Sequence, residues 1–163
     1  IDSRSAGSEL VLLVKKICEL IESGADFETV VEKAELYSRH THVVFALSSF
    51  NNLVKNGRMS KIVGFVANKL GFWGIGIGSE QGTIEIKQKI RGSKKALDAI
   101  IEDMKERGYN CGKVVISHCR NAEFAESVKS AIQSVWDKAE VKIVRARGLC
   151  SYYAEKGGLI IGF

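Results

Sequence analysis

The sequence predicts an α/β domain with a mixed β-sheet covered by helices. Three observations lead there. Several segments repeat apolar residues at the spacing of one helical face, while shorter apolar runs of strand length stand between them. One strand pair is joined by a tight turn, as antiparallel neighbours are. A strand–helix–strand run in the second half needs a crossover, and one sheet holding both connection types is mixed. With 163 residues, 45% of them apolar and 26% charged, there is material for one domain with a real core.

Residues 10–22 carry Leu10, Leu13, Val14, Ile17, Cys18 and Ile21 on one expected inward face, and Gly24 suits the stop. Asp26 is placed to cap a second helix with Phe27, Val30, Val31 and Ala34 inward. His42–Leu47 reads as a buried strand. Ser48 can cap a short helix closing at Asn56-Gly57, and Ser60 another whose stripe is Ile62, Phe65, Val66 and Leu70. Trp73–Gly78 alternates large residues with glycine, so one face of that strand is bare backbone. After the turn at 79–82, Ile84, Ile86 and Ile90 alternate with Glu85, Lys87 and Lys89, the pattern of a hairpin with one wet face. A helix over 94–107 presents Leu97, Ile100, Ile101 and Met104. Strand 113–118 precedes a helix over 122–136 with Phe124, Val128, Ile132 and Val135 inward. Strands at 140–145 and 158–163 complete the chain, which contains no proline.

Composition excludes several classes. No apolar run is long enough to span a bilayer, and the opening Ile1-Asp2-Ser3-Arg4 lacks a secretory pattern. The chain starts without Met, which we read as a start partway through a longer gene product. Cys18, Cys111, Cys119 and Cys150 have neither metal-ligand nor redox spacing, so a reduced, cytoplasmic protein is expected, with Cys18 as a small hydrophobe. The net charge of +5 is modest. Its densest stretch, Lys87–Lys95, reads as a solvated strand edge and helix start; nucleic-acid binders cluster more charge and add stacking aromatics.

Standard catalytic motifs are missing, so no enzyme activity and no cofactor is expected. His40 and His42 share a strand face without a third ligand type nearby, and no metal site follows. His118 ends a strand and reads as a side chain bonded to the next loop. Two segments stand out. Asn56–Lys61 is a turn holding Arg58 at the mouth of an apolar helix. Glu155–Phe163 is a glycine turn feeding a terminal apolar strand. An arginine beside exposed backbone N–H groups suits a carboxylate or phosphate.

Read in order, these segments resemble the DegV family along nearly the whole chain. Ile1-Asp2-Ser3 with the helix after it is similar to the family's Asp-Ser segment before a long helix. Gly57-Arg58-Met59-Ser60-Lys61 matches its Gly-Gly-Arg-Ile/Val-Ser-Lys signature, with Asn56 at the first glycine. Lys89–Leu97 matches a Lys-Val-Arg-Gly-x-Lys-Lys-Ala-Leu element. Val114–His118 with Ala122–Val128 fits a strand ending in His and the helix after it, and Lys156–Phe163 occupies the place of the Gly-Pro-Gly-Ala-Leu-Gly ending.

The resemblance implies a bacterial, non-covalent carrier of long-chain fatty acids with two α/β domains and the ligand between them. Residues 1–163 then form the C-terminal domain, 1–39 as a connecting helical segment and 40–163 as the mixed-sheet lipid-binding part. The N-terminal domain of the same protein is the missing partner. It further implies a partner acyl kinase that phosphorylates the presented carboxylate. Phe45, Phe50, Ile62, Phe65, Val66 and Leu70 are expected along the tail, and Arg58, Ser151 and Tyr153 around the head. Tyr153 stands where the family has a histidine that bonds the carboxylate, and Glu155 replaces a glycine. Those departures leave an alternative: a ligand-free relative serving as a protein-interaction or regulatory module.

Overall fold

The computed structural model describes residues 1–59, 71–79 and 81–163. Among them run α1 (Ser8–Glu22), α2 (Phe27–Ser38), β1 (Val43–Leu47), α3 (Asn51–Lys55), β2 (Phe72–Gly78) and β3 (Ile84–Arg91). They are followed by α4 (Ser93–Glu106), β4 (Lys113–His118), α5 (Ala122–Val135), β5 (Glu140–Arg145), α6 (Gly148–Ala154) and β6 (Leu159–Gly162). The expected mixed sheet is present: six strands in the order β3-β2-β1-β6-β4-β5, antiparallel throughout except β4 with β5. That parallel pair is joined through the helix α5, as a crossover requires.

Because strand side chains alternate, each central strand serves two faces. Val44, Ala46, Ile75, Val114, Ile116, Leu159 and Ile161 are almost fully buried under α4 and α5, whose Ile100, Met104, Val128 and Ile132 are wholly buried against them. On the opposite face α1 crosses β4 and β6. The crossing is close because Gly162 has no side chain: a Cβ there would lie 2.4 Å from the Glu9 backbone nitrogen. The Ser8 hydroxyl fixes the first turn of α1 by donating to the Ile160 carbonyl at 2.7 Å.

Several expectations need correction. Helix α1 is rotated: Leu12, Leu13 and Leu20 are buried, whereas Leu10, Val14, Cys18 and Ile21 are exposed. Five successive apolar residues at 10–14 leave the sequence without a clear inward direction. Asp26 does cap α2, accepting from the Thr29 N–H at 2.8 Å, but Phe27 is 76% exposed. Val135 is exposed at the end of α5. The three hairpin isoleucines do not share a face. Gly76 pairs with Ile86 while Ile75 pairs with Gln88, so Lys87 is an extra, bulged residue. The bulge sends Ile84 and Ile86 to the α1 side and Ile90 to the α4 side. Lys87 itself reaches Asp103 and Glu106 on α4, at 2.9 and 3.0 Å.

Candidate ligand-binding site

A cavity of about 500 Å³ opens on the α1 side of the sheet, within the range of small-molecule sites. Its floor is alternate residues of β1, Val43, Phe45 and Leu47, with Gly78 of β2 and Ile160 of β6 beside them. Ile84 walls the hairpin side and Leu53 of α3 the opposite end. The roof is regular structure only in part. It consists of the strap at residues 2–7 and of Leu149, Cys150, Tyr153 and Ala154 on α6.

The strap is held by its own polar side chains. Ser3 Oγ accepts from the Ser5 N–H at 3.3 Å, and Asp2 accepts from the Arg4 N–H at 3.0 Å. The Ser5 hydroxyl donates to Glu9, whose buried carboxylate also accepts from Thr41 Oγ1 at 3.0 Å. Gly7 turns the strap into α1 with φ +69°, and a Cβ there would crowd Ile160 at 3.2 Å.

The roof helix α6 is tied to α3 from the side. Glu155 follows α6 with φ 52° and ψ 176°, a backbone region that suits glycine. Its carboxylate accepts from the Asn52 N–H at 2.8 Å and from Ser49 Oγ at 2.6 Å, and so caps α3. Asn52 and Asn56 also donate to the Tyr152 carbonyl and hydroxyl, at 2.8 and 2.9 Å. Ser48, expected as the cap, instead donates to the Lys156 carbonyl at 3.2 Å. Glu155 therefore directs its charge into the end of α3.

Of the residues singled out from sequence, Phe45 and Tyr153 line the cavity. Phe50 is fully buried beneath it, with its ring where a Cβ of Gly74 would be. Ser151 donates its hydroxyl to the Gly148 carbonyl at 2.8 Å and does not reach the wall. Arg58 is exposed on the turn after α3, its N–H on the Leu53 carbonyl at 2.8 Å, and is likewise off the wall. Ile62, Phe65, Val66 and Leu70 lie outside the described residues. Sequence reasoning missed the strap and α6. The partners of the bare strand face were legible only in part: alternation from Phe45 points to Val43 and Leu47.

A second, polar cleft of about 690 Å³ shares the strap and contains Glu9, Glu35, Arg39, His42 and Arg107. Burial, and then the Arg107 charge, hold His42 below its ordinary pKa. His118 accepts from the Asn121 N–H at 3.1 Å, the loop bond expected of it. No group of three metal-ligating side chains occurs among the described residues, and none of their helices is long and apolar enough to cross a membrane.

The family model described as uncharacterised proteins of the DegV family matches residues 1–163. A DegV domain-containing protein of Streptococcus pyogenes serotype M1 is 45% identical over the whole chain, and the chain spans 58% of that relative's length. Among solved structures, the Streptococcus pneumoniae Fatty Acid Kinase (Fak) B3 protein loaded with linoleic acid superposes with a TM-score of 0.97 at 42% identity. The comparison covers 100% of this chain and 58% of that one. A DegV family protein of Eubacterium eligens loaded with heptadecanoic acid gives 0.96 at 36% identity, over 99% of this chain and 59% of its own. Fold, cavity and sequence converge, and the chain belongs to the DegV family.

Proposed function

We propose that this chain is the C-terminal, tail-holding part of a cytoplasmic carrier that binds a long-chain fatty acid non-covalently and presents its carboxylate to a partner acyl kinase. The observation that carries the reading is the largely apolar cavity between β1 and the strap–α6 roof. At about 0.8 kcal/mol per buried CH₂, a sixteen-carbon tail gains roughly 12 kcal/mol gross, so the tail dominates affinity. The head needs enough donors to offset desolvation of a carboxylate. Tyr153 is our candidate donor at the Leu47–Leu53 end, with Ser151 as a support of α6. Arg58, exposed on the neighbouring turn, is our candidate for facing the kinase. The relatives are longer than this chain, and we infer that the rest of the protein supplies the other half of the head-group site and covers Leu10, Val14 and Ile21 on α1.

The carrier needs no catalytic group of its own and no cofactor, since the chemical step belongs to the partner. Mass spectrometry of denatured full-length protein is expected to release a long-chain acid. Added palmitate or oleate is expected to raise the melting temperature of delipidated protein. Ala6→Trp, which fills the cavity from the strap, is expected to abolish both. Repeated extracts without an acyl ligand, together with an unmoved melting temperature, would leave the interaction-module reading instead.

A further inference from the structure

Strand β2 turns three glycines, Gly74, Gly76 and Gly78, toward the cavity side. Two of them are occupied. A Cβ on Gly74 would lie 2.1 Å from Phe50 Cζ, and one on Gly76 would lie 2.4 Å from both Phe45 Cζ and the Glu85 carbonyl oxygen. Gly78 differs. Among the described residues a Cβ there would meet only Val43 Cγ1, at 3.1 Å, and Gly78 lines the cavity. Its φ lies outside the left-handed region, so the backbone does not demand glycine either. A glycine in a strand weakens it unless something must approach the backbone closely. Neither a neighbouring ring nor a turn accounts for this one: Val43 crowds one side of the position, and the cavity and the polar cleft meet over the rest.

We propose that Gly78 is a specificity-determining residue: its missing side chain widens the cavity locally for an acyl chain broader than a straight polymethylene. This inference rests on the carrier reading. Both a cis double bond, which bends the chain, and a methyl branch have the required lateral bulk at one level. The level is set by the register. Gly78 lies beside Val43, at the opposite end of β1 from Leu47 and Tyr153, so the recess serves the half of the chain farther from the head.

The test uses delipidated full-length protein and titrations with stearate, oleate, linoleate and a mid-chain methyl-branched stearate. Gly78→Val is expected to weaken the broad chains by about tenfold or more and stearate much less, the scale on which an apolar pocket discriminates. Gly78→Ala should shift them in the same direction by less, and Val43→Ala in the Gly78→Ala background should restore them. Whether the unsaturated or the branched acids lose most identifies which bulk the recess serves. Parallel loss for straight and broad chains, or no change for any, overturns the inference while leaving the carrier intact. A wild-type protein that takes up none of the acids overturns the carrier reading and this inference with it.

Discussion

The two faces of one sheet have opposite designs. Toward α4 and α5, successive strands contribute branched side chains that are almost wholly buried, and two regular helices cover them. Toward the strap and α6, the intervening residues of the same strands meet a short helix, an irregular segment and bare glycine backbone. The first face fills its volume and supplies stability. The second leaves volume unfilled, and its roof is held by hydrogen bonds from serine, asparagine and glutamate side chains. Period-two alternation lets one set of strands do both, because changing one face leaves the other in register.

Ile160 and Ile161 break the comparison most directly, as neighbours on β6 that point to opposite faces. Ile161→Ala is expected to cost about 2–5 kcal/mol, since it removes methylenes and leaves a cavity in a close-packed layer. Ile160→Ala, on a wall that already borders open space, should cost about 1–2 kcal/mol, close to the transfer contribution alone. Urea unfolding of the pair measures the difference. Equal losses would mean that both faces are equally well packed.

Glu155 sharpens the account of the roof. Glu155→Ala removes the cap of α3 and is expected to cost about 1–2 kcal/mol. Glu155→Gly loses the same carboxylate but relaxes a backbone that suits glycine, so it should be less destabilising than the alanine variant. Reversal of that order in thermal melts would show that the positive φ carries no strain.

The smallest effect concerns alkaline pH and the filled face. The Tyr109 ring packs edge-on to Trp136 and Phe163, and its hydroxyl donates to the Gly112 carbonyl at 3.0 Å. Burial, reinforced by Cys111 and Glu140, raises its pKa from 10.0 to about 12. The unfolded chain therefore releases this proton first. The contribution is fully present below pH 10 and is lost as pH rises toward about 12. Tyr109→Phe should flatten the pH dependence of stability in that window, as measured by urea midpoints.

Much of the fold was legible because amphipathic helices and buried strands write their periods into the sequence. The mixed sheet, the hairpin, α4, α5 and the Asp26 cap follow from local pattern alone. What the sequence concealed was non-local. The cap of α3 comes from a residue 103 positions away from Asn52. Helix α6 is hidden in Gly-Leu-Cys-Ser-Tyr-Tyr-Ala, which combines a helix-weakening glycine with Ser and Tyr and has no charged face. The glycine row announced a bare strand face, but nothing local says that Phe50 and Phe45 fill two of its positions and leave the third open. Arg58 and Ser151 were chosen for their chemistry, and chemistry does not reveal distance from a wall.

The bulge at Lys87 has an evolutionary consequence. Because it resets the phase of β3, the hairpin tip and the hairpin root answer to different neighbours. Substitutions at Ile84 can change the cavity wall, while Ile90 keeps its anchorage to the far layer. A lineage can thus reshape the cavity at the tip without renegotiating the scaffold that keeps it folded.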